Sequence, residues 1–390
     1  MTASVTSTIK AFKGLNNVGD PQRLGLSWLT QADNVDVTDR SALVRAGGFA
    51  QRSTNFAVTG AYATNDLQRL YVVDQGEMRQ MNLDLTGYTV LRSGLTAAKM
   101  YFEEVNGVVF YSNGVDFGLL EPDGPRPWGI APPTAPAVAV IAGSLPAGTY
   151  QVVCTLVDSR GQESSNSAVV VATTVADGGL LITPPQVAGH TTNVYVTEPN
   201  GTVFFLFGDA AVCAYTDPRG ARGRELPFQD LDTPRGSILA HFQGQMYAGE
   251  YFPDLDQSVI WRSLPLHYHL FNLGGEAIAV PGAVRMVVGL AEALIIGTDR
   301  QIWAYDGETI KELAPYGVVP GWHASKKNNA LYFWSLRGLC RALPFANLTE
   351  STVSVPPGLS AGAAVIESNG MRRYVVALRK GGEAFNRRIT

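Results

Sequence analysis

Apolar positions in this chain recur in short runs and not on a helical period. Stretches rich in β-branched and aromatic residues are bounded by Gly, Asn, Asp and Pro. That pattern predicts many short strands joined by tight turns. A weak repeat runs through it: an apolar strand, a polar turn, a second strand. Its copies are Leu67–Asp84, Asn106–Gly124, Gly244–Phe252 followed by SVIWRSL, Glu292–Gly307, Asn328–Pro344 and Gly370–Gly382. Each reads as a hairpin, with turns at DQG, SNG, GTDR and SLRG. A spacing of roughly 35 to 50 residues is that of propeller blades. One hairpin cannot bury its own apolar face, whereas blades around an axis can, and closure leaves only short edges. The fold class expected is therefore all-β with a β-propeller-like body. A β-sandwich or a run of meanders is the alternative.

The repeat is interrupted. After WGIAPPTAPAVAV the composition shifts, and from Thr134 to Asp217 the chain reads as a small sandwich. GTYQVVCTLVDSRG alternates in and out with a turn at Asp158–Gly161, and AVVVATTV, GLLITPP, TNVYVTEPNG and TVFFLFGDA follow. Six or seven short strands in this span predict an inserted immunoglobulin-like or fibronectin-III-like module. RGARGRELPFQDLDTP reads as a polar linker back to the repeat. The predicted plan is a discontinuous body, residues 1–133 and 218–390, carrying an insert at 134–217.

Composition changes the picture in one respect. The chain has 390 residues, 46% hydrophobic and only 16% charged, with net charge -4. An average soluble chain has about 25% charged residues, so a charge-poor surface covered by partner subunits is expected. Cys154, Cys213 and Cys340 are far apart and form no CxxC pair, which suits a reducing compartment better than a disulfide or zinc framework. MTASVTSTIKAF has no apolar core, so no secretory signal is read. No run of about 18 apolar residues predicts a transmembrane helix.

The opening segment carries a resemblance. FKGLNNVGDPQRLGLSWLTQADNVDVTDRSALVRAGGF, Phe12 to Phe49, is similar to the start of bacteriophage virion proteins of the short-tail nozzle (tail tubular protein B-like) type. Those chains open with a "GLN-N…DP" phrase, then "ADNVD", then "G.L..R.G". The matching residues here are Gly14, Leu15, Asn16, Asn17, Asp20, Pro21, Ala32, Asp33, Asn34, Val35, Asp36, Arg45 and Gly47. Ser237 to Leu273 resembles a second phrase of that family, a "G.(L/M)Y.A" strand followed by "(I/L)W.S.P…..F". The resemblance implies a propeller-like fold and a place in the tube below the portal. It also implies identical subunits in a cyclic ring, contact with other tail, portal, adaptor or fibre proteins, and a virion location after assembly in the host cytoplasm. Read as residues alone, Asn16–Asn17 and Asp20–Pro21 form turns, and NVDV alternates as a strand. Such an arm either seals the first blade or reaches a neighbouring subunit.

Candidate chemistry is sparse. His267 and His269 would share one face of a strand, but no third ligand stands at metal-site spacing. DVTD at Asp36–Asp39 and FPDLDQ at Phe252–Gln257 lack the DxDxDG calcium loop. No GxSxG elbow and no phosphate loop occurs. Glu103–Glu104 and Asp299 could be offered as glycosidase carboxylates, although nothing singles them out. The chain is expected not to be an enzyme and to need no cofactor. Basic clusters are more telling: Arg219, Arg222 and Arg224, Lys326–Lys327, Arg372–Arg373 and Arg387–Arg388. In a ring that conducts DNA some would meet phosphates without reading sequence, and otherwise they are interface or surface ion pairs. Trp128, Trp261, Trp303, Trp322 and Trp334 are expected in blade cores, between blades, or as interface anchors. The function expected is a tail or neck subunit of the ring or tube through which the genome leaves. The alternative is a tail-tip or fibre-base module that touches the host surface or anchors a receptor-binding protein.

Overall fold

The computed structural model describes residues 9, 11–33, 35–38, 40–45, 58–218, 223–275, 277–327, 329–368, 371–380 and 383–388. Among them the chain is all-β: strands, turns and one 3-10 turn at Pro253–Leu255. No helix among the described residues is long and apolar enough to cross a membrane.

Six sheets of closely similar build account for most of the chain. The first comprises Val58–Ala63, Leu70–Asp74, Glu77–Met81 and Tyr88–Arg92, and the second Tyr101–Val105, Val108–Ser112, Phe117–Glu121 and Gly124–Arg126. The third runs through Ile238–Phe242, Gln245–Phe252 and Gln257–Leu264, the last of which pairs with both His267–Phe271 and Ile278–Pro281. The fourth spans Val284–Gly289 to Ile310–Ala314 and the fifth Ser325–Lys327 to Ala346–Asn347. In the sixth, Ser360–Ser368, Met371–Lys380 and Glu383–Arg388 are antiparallel, and Gly321–Trp322 joins them in parallel at the edge. Local chemistry sets the hairpins. Asn106–Gly107 has φ of 52° and 79°, and Gln243–Gly244 has 47° and 73°. Positive φ at both central residues is the turn that matches strand twist, and Gly takes it without steric cost.

The hairpins expected from the pattern are the middle two strands of these sheets, and the flanking strands went unread. Gly370–Gly382, which reads as a hairpin, holds a single strand instead. Its Met371–Lys380 is one ten-residue strand with a partner on each side, because YVVAL has no turn residue to break it.

Core clusters link successive sheets. Tyr71, Met78, Val109 and Tyr111 join the first to the second. Phe110, Trp128, Met246 and Phe271 join the second to the third. Ile260, Val287 and Ile296 join the third to the fourth, and Ile295, Phe333 and Cys340 the fourth to the fifth. Trp334, Tyr374 and Val376 join the fifth to the sixth. Each cluster removes several large side chains from water, at about 1.5 to 3 kcal/mol per side chain. Trp128 illustrates the logic: it is 2% exposed, meets Phe110 and Phe271 edge-on, and donates its Nε1–H to the Tyr268 carbonyl at 2.9 Å. Trp334 is likewise buried and donates to the Pro357 carbonyl.

Between the second and third sheets the chain makes two further sheets. One orders Ala137–Leu145, Gly178–Thr183 and Cys213–Tyr215. The other orders Val170–Thr174, Gly148–Val157, Thr191–Thr197 and Phe204–Gly208. Tyr150, Val152, Cys154, Leu180, Ile182, Val194 and Tyr215 fill the space between them. The three cysteines are buried free thiols. The segment read as a polar linker pairs in part with this unit: Leu206 N–H donates to Arg224 O, and Leu226 N–H to Phe204 O.

Candidate functional site

The opening phrase is fastened to the end of the chain. Asn16 Oδ1 accepts from the Gly19 and Val18 N–H groups, and Asp20 Oδ1 from Gln22 N–H, so both side chains close turns. Gly14–Leu15 pairs in parallel with Trp28–Leu29. Asn17 donates its Nδ2–H to Ser354 O at 2.9 Å and accepts from Ser354 N–H at 2.7 Å. Asp33 accepts from Gln31 Nε2. Asp36, 2% exposed, pairs at 3.1 Å with Arg373 of the sixth sheet. Asn34 and Gly47 lie outside the described residues.

The basic candidates are scattered in role. Arg219 and Arg222 lie outside the described residues, as does the side chain of Lys327; of Arg387–Arg388 only the backbone is described. Arg224 pairs with Glu163 at 2.5 Å, and Arg372 with Glu367 at 3.2 Å. Lys326 is exposed and lines the mouth of a partly open cavity. The histidines of the HxH pair are each held by a carbonyl: His267 Nδ1–H by Pro265 O and His269 Nε2–H by Glu163 O. Asp256 accepts from the Tyr251 hydroxyl and pairs with Arg300, and Asp299 accepts from Ala283 N–H.

Two buried polar centres emerge that the pattern did not single out. The first surrounds Glu163, which is 5% exposed. One carboxylate oxygen accepts from Thr155 Oγ1 at 2.5 Å, Tyr195 OH at 2.8 Å and Asn193 Nδ2 at 3.1 Å, and the other takes Arg224. Burial pushes this carboxyl up, but the three hydrogen bonds and the Arg224 charge outweigh it and hold it below the usual range. The adjoining Ser165 and Asn166 reach across to the linker, with Ser165 Oγ accepting from Leu231 N–H and Asn166 Oδ1 from Asp230 N–H. Arg160 completes the junction by a bidentate pair with Glu121 of the second sheet, at 2.6 and 2.7 Å.

The second centre is a cavity of about 670 Å³. Its wall draws on all six sheets: Tyr62 and Ala63, Tyr101 to Glu104, Ile238 and Leu239, Arg285 to Val288, Ser325 and Lys326, and Ala363 to Val365, with Trp322 and His323 beside them. This volume is that of a small-molecule site. Glu104 accepts from Tyr62 OH and Asn65 N–H. Burial raises the Glu103 carboxyl to about 7; Lys326 and the His241 N–H pull the other way, and Glu104 adds to the rise. His323 is 1% exposed and pinned neutral: its Nε2–H donates to Val319 O, Nδ1 accepts from Trp334 N–H, and burial lowers it to about 4. Lys99 sits 5.1 Å above the Trp322 ring. Sequence signals for this cavity were faint. Arg285 is a lone cation in the apolar run PGAVRMVVGL, and the adjacent glutamates interrupt the alternation of YFEEV.

No protein-family model matches this chain, and no curated protein matches it either. Solved structures align to it at low similarity. A functionally unknown protein from Desulfotomaculum acetoxidans aligns at 10% identity over 76% of this chain and 84% of its own, with a TM-score of 0.32. The AfRom2 CNH domain aligns at 8% identity over 84% and 93%, TM-score 0.33. Kluyveromyces lactis Hsv2 aligns at 9% identity over 85% and 98%, TM-score 0.31. Likeness at that level carries no argument about function.

Proposed function

We propose that this chain is a six-bladed propeller with an inserted immunoglobulin-like sandwich, and that it serves as a tail or neck subunit of a tailed bacteriophage, of the nozzle type. One observation supports the fold reading above others: strands from six sheets contribute to the wall of a single cavity. Repetition about an axis produces that arrangement. The clamp from Asp36 to the last sheet, and from Asn17 to Ser354 in the connection that leads into it, would then be the closure of the ring of blades. Asn17 and Asp36 belong to the phrase that resembles nozzle proteins, so the resemblance includes the residues that fasten the opening segment to the later part of the chain. The low charge content suits a subunit locked against identical copies in cyclic symmetry.

The work proposed is assembly and conduit, not catalysis. A cavity of this volume admits a small molecule and not a duplex, so any DNA channel would lie between subunits. Electron microscopy of the purified protein and of virions that carry it tests the reading. A ring or tube with an axial channel below the portal is expected. A monomer that is missing from virions overturns it. Deleting residues 134–217 should leave a folded body, and loss of folding would make the insert part of the core.

A further inference from the structure

The charges around the cavity are unevenly balanced. Lys326 has Glu103 near it, and Glu104 has its hydroxyl and N–H donors. Arg285 and Lys99 have no such company. Arg285 is the extra residue of a β-bulge: Val284 pairs with Thr298 and Met286 with Gly297, which leaves it out of register. Bulges re-aim side chains and favour functional positions. Its Nε is buried without a hydrogen-bond partner, and among the described residues its guanidinium meets no carboxylate. Lys99 lies just before Tyr101–Val105, also without a carboxylate partner among the described residues; it is not part of the cavity lining itself but packs against the face of Trp322, which is. Tyr101 stands beside the same indole, with ring centroids 6.4 Å apart. Burial and the neighbouring Arg285 both lower the Lys99 ammonium. The fold therefore sets one cation in the cavity wall and a second against the indole that lines it, and gives neither a carboxylate partner among the described residues.

We infer that this end of the cavity binds a small organic anion, carboxylate or phosphate, held by Arg285 and Lys99 against the Tyr101 and Trp322 rings. A guanidinium presents a fork that fits either oxyanion in two parallel hydrogen bonds. An anion placed there offsets both positive charges and gives the buried Arg285 Nε an acceptor, where an unmade hydrogen bond would otherwise cost free energy. The aromatic pair offers apolar surface for the rest of the molecule. The site is built within one chain, so it does not depend on the assembly proposed above.

Thermal unfolding of the full chain, with inorganic phosphate, benzoate and a nucleoside monophosphate at ionic strength matched with chloride, tests this. At least one probe should raise the melting temperature and change tryptophan emission saturably, with Kd below about 1 mM. Arg285→Met and Lys99→Met should each weaken that binding at least about tenfold, while melting without ligand stays level or rises because repulsion is relieved. Trp322→Phe should lose most of the emission change and keep the thermal shift. Phosphate alone, benzoate alone, or the nucleotide above both would each support the site and identify the oxyanion and its carrier. The inference is overturned if no probe saturates beyond chloride. It is also overturned if Lys99→Met binds as the wild type does, or if both Met variants melt well below it without ligand, which would make the cations structural.

Discussion

Glu163 is an ionic group buried in an all-β interior and Arg285 is a half-buried one with a buried Nε, and they are treated in opposite ways. Glu163 has three neutral donors on one oxygen and a guanidinium on the other. Arg285 has a buried Nε with no acceptor and no carboxylate partner among the described residues, and its charge adds to the burial that disfavours the Lys99 ammonium. A desolvated charge costs several kcal/mol unless hydrogen bonds and an opposite charge offset it. Where that offset is complete, as at Glu163, the group welds two parts of the chain together. Where it is missing, the deficit marks a place where something else completes the shell. The contrast separates structural polar burial from candidate binding chemistry within one molecule.

The sharpest way to break it is to cut the welded centre. Glu163→Ala leaves Thr155, Asn193 and Tyr195 without their acceptor and Arg224 without its partner. The expected loss is about 3 to 5 kcal/mol in denaturant unfolding. A loss under about 1 kcal/mol would show that the network is replaceable by water and that the contrast with Arg285 is illusory.

A smaller effect is expected at the terminal clamp. Asp36 is 2% exposed and its partner Arg373 is 15% exposed. Asp36→Ala strands a buried guanidinium and should cost about 2 to 4 kcal/mol. The Asp36→Ala, Arg373→Met double variant should recover part of that. If the double variant is as unstable as the sum of the single ones, the two side chains are not coupled and the clamp is not an ion pair in energetic terms.

These centres also mark where sequence reading stopped. Hairpins were legible because their turns are local: Asn106–Gly107 and Gln75–Gly76 announce themselves in two residues, and the strands beside them alternate. Flanking strands were not. Tyr88–Arg92 is largely exposed and so carries no burial signal, and Glu103–Glu104 interrupts the period of its own strand. Glu163 lies in SRGQESSNS, a polar run that reads as an exposed turn, yet Glu163 to Ser167 are all buried against the linker and the third sheet. Part of that burial comes from segments more than 60 residues away, which no local pattern encodes. The cavity is less legible still, since its wall gathers residues from Ala61 to Val365.

The cavity's own acid gives the smallest of the effects and the one most specific in its signature. Glu103 rises to about 7 in the fold because burial disfavours its charge, whereas an unfolded glutamate titrates near 4.3. The folded state therefore binds the proton more tightly, and stability from this group is full below about pH 4 and is lost as pH climbs through 7. Glu103→Gln removes the titration. It should raise stability by about 1 to 2 kcal/mol at pH 8, with little change at pH 5. Chemical denaturation at the two pH values measures it. A variant that is equally stabilised at both would mean that packing and not charge is at stake. One destabilised at pH 8 would mean that Lys326 and the His241 N–H satisfy the carboxylate as fully as Glu163 is satisfied, and that the acidic side of the cavity belongs with the welded centre.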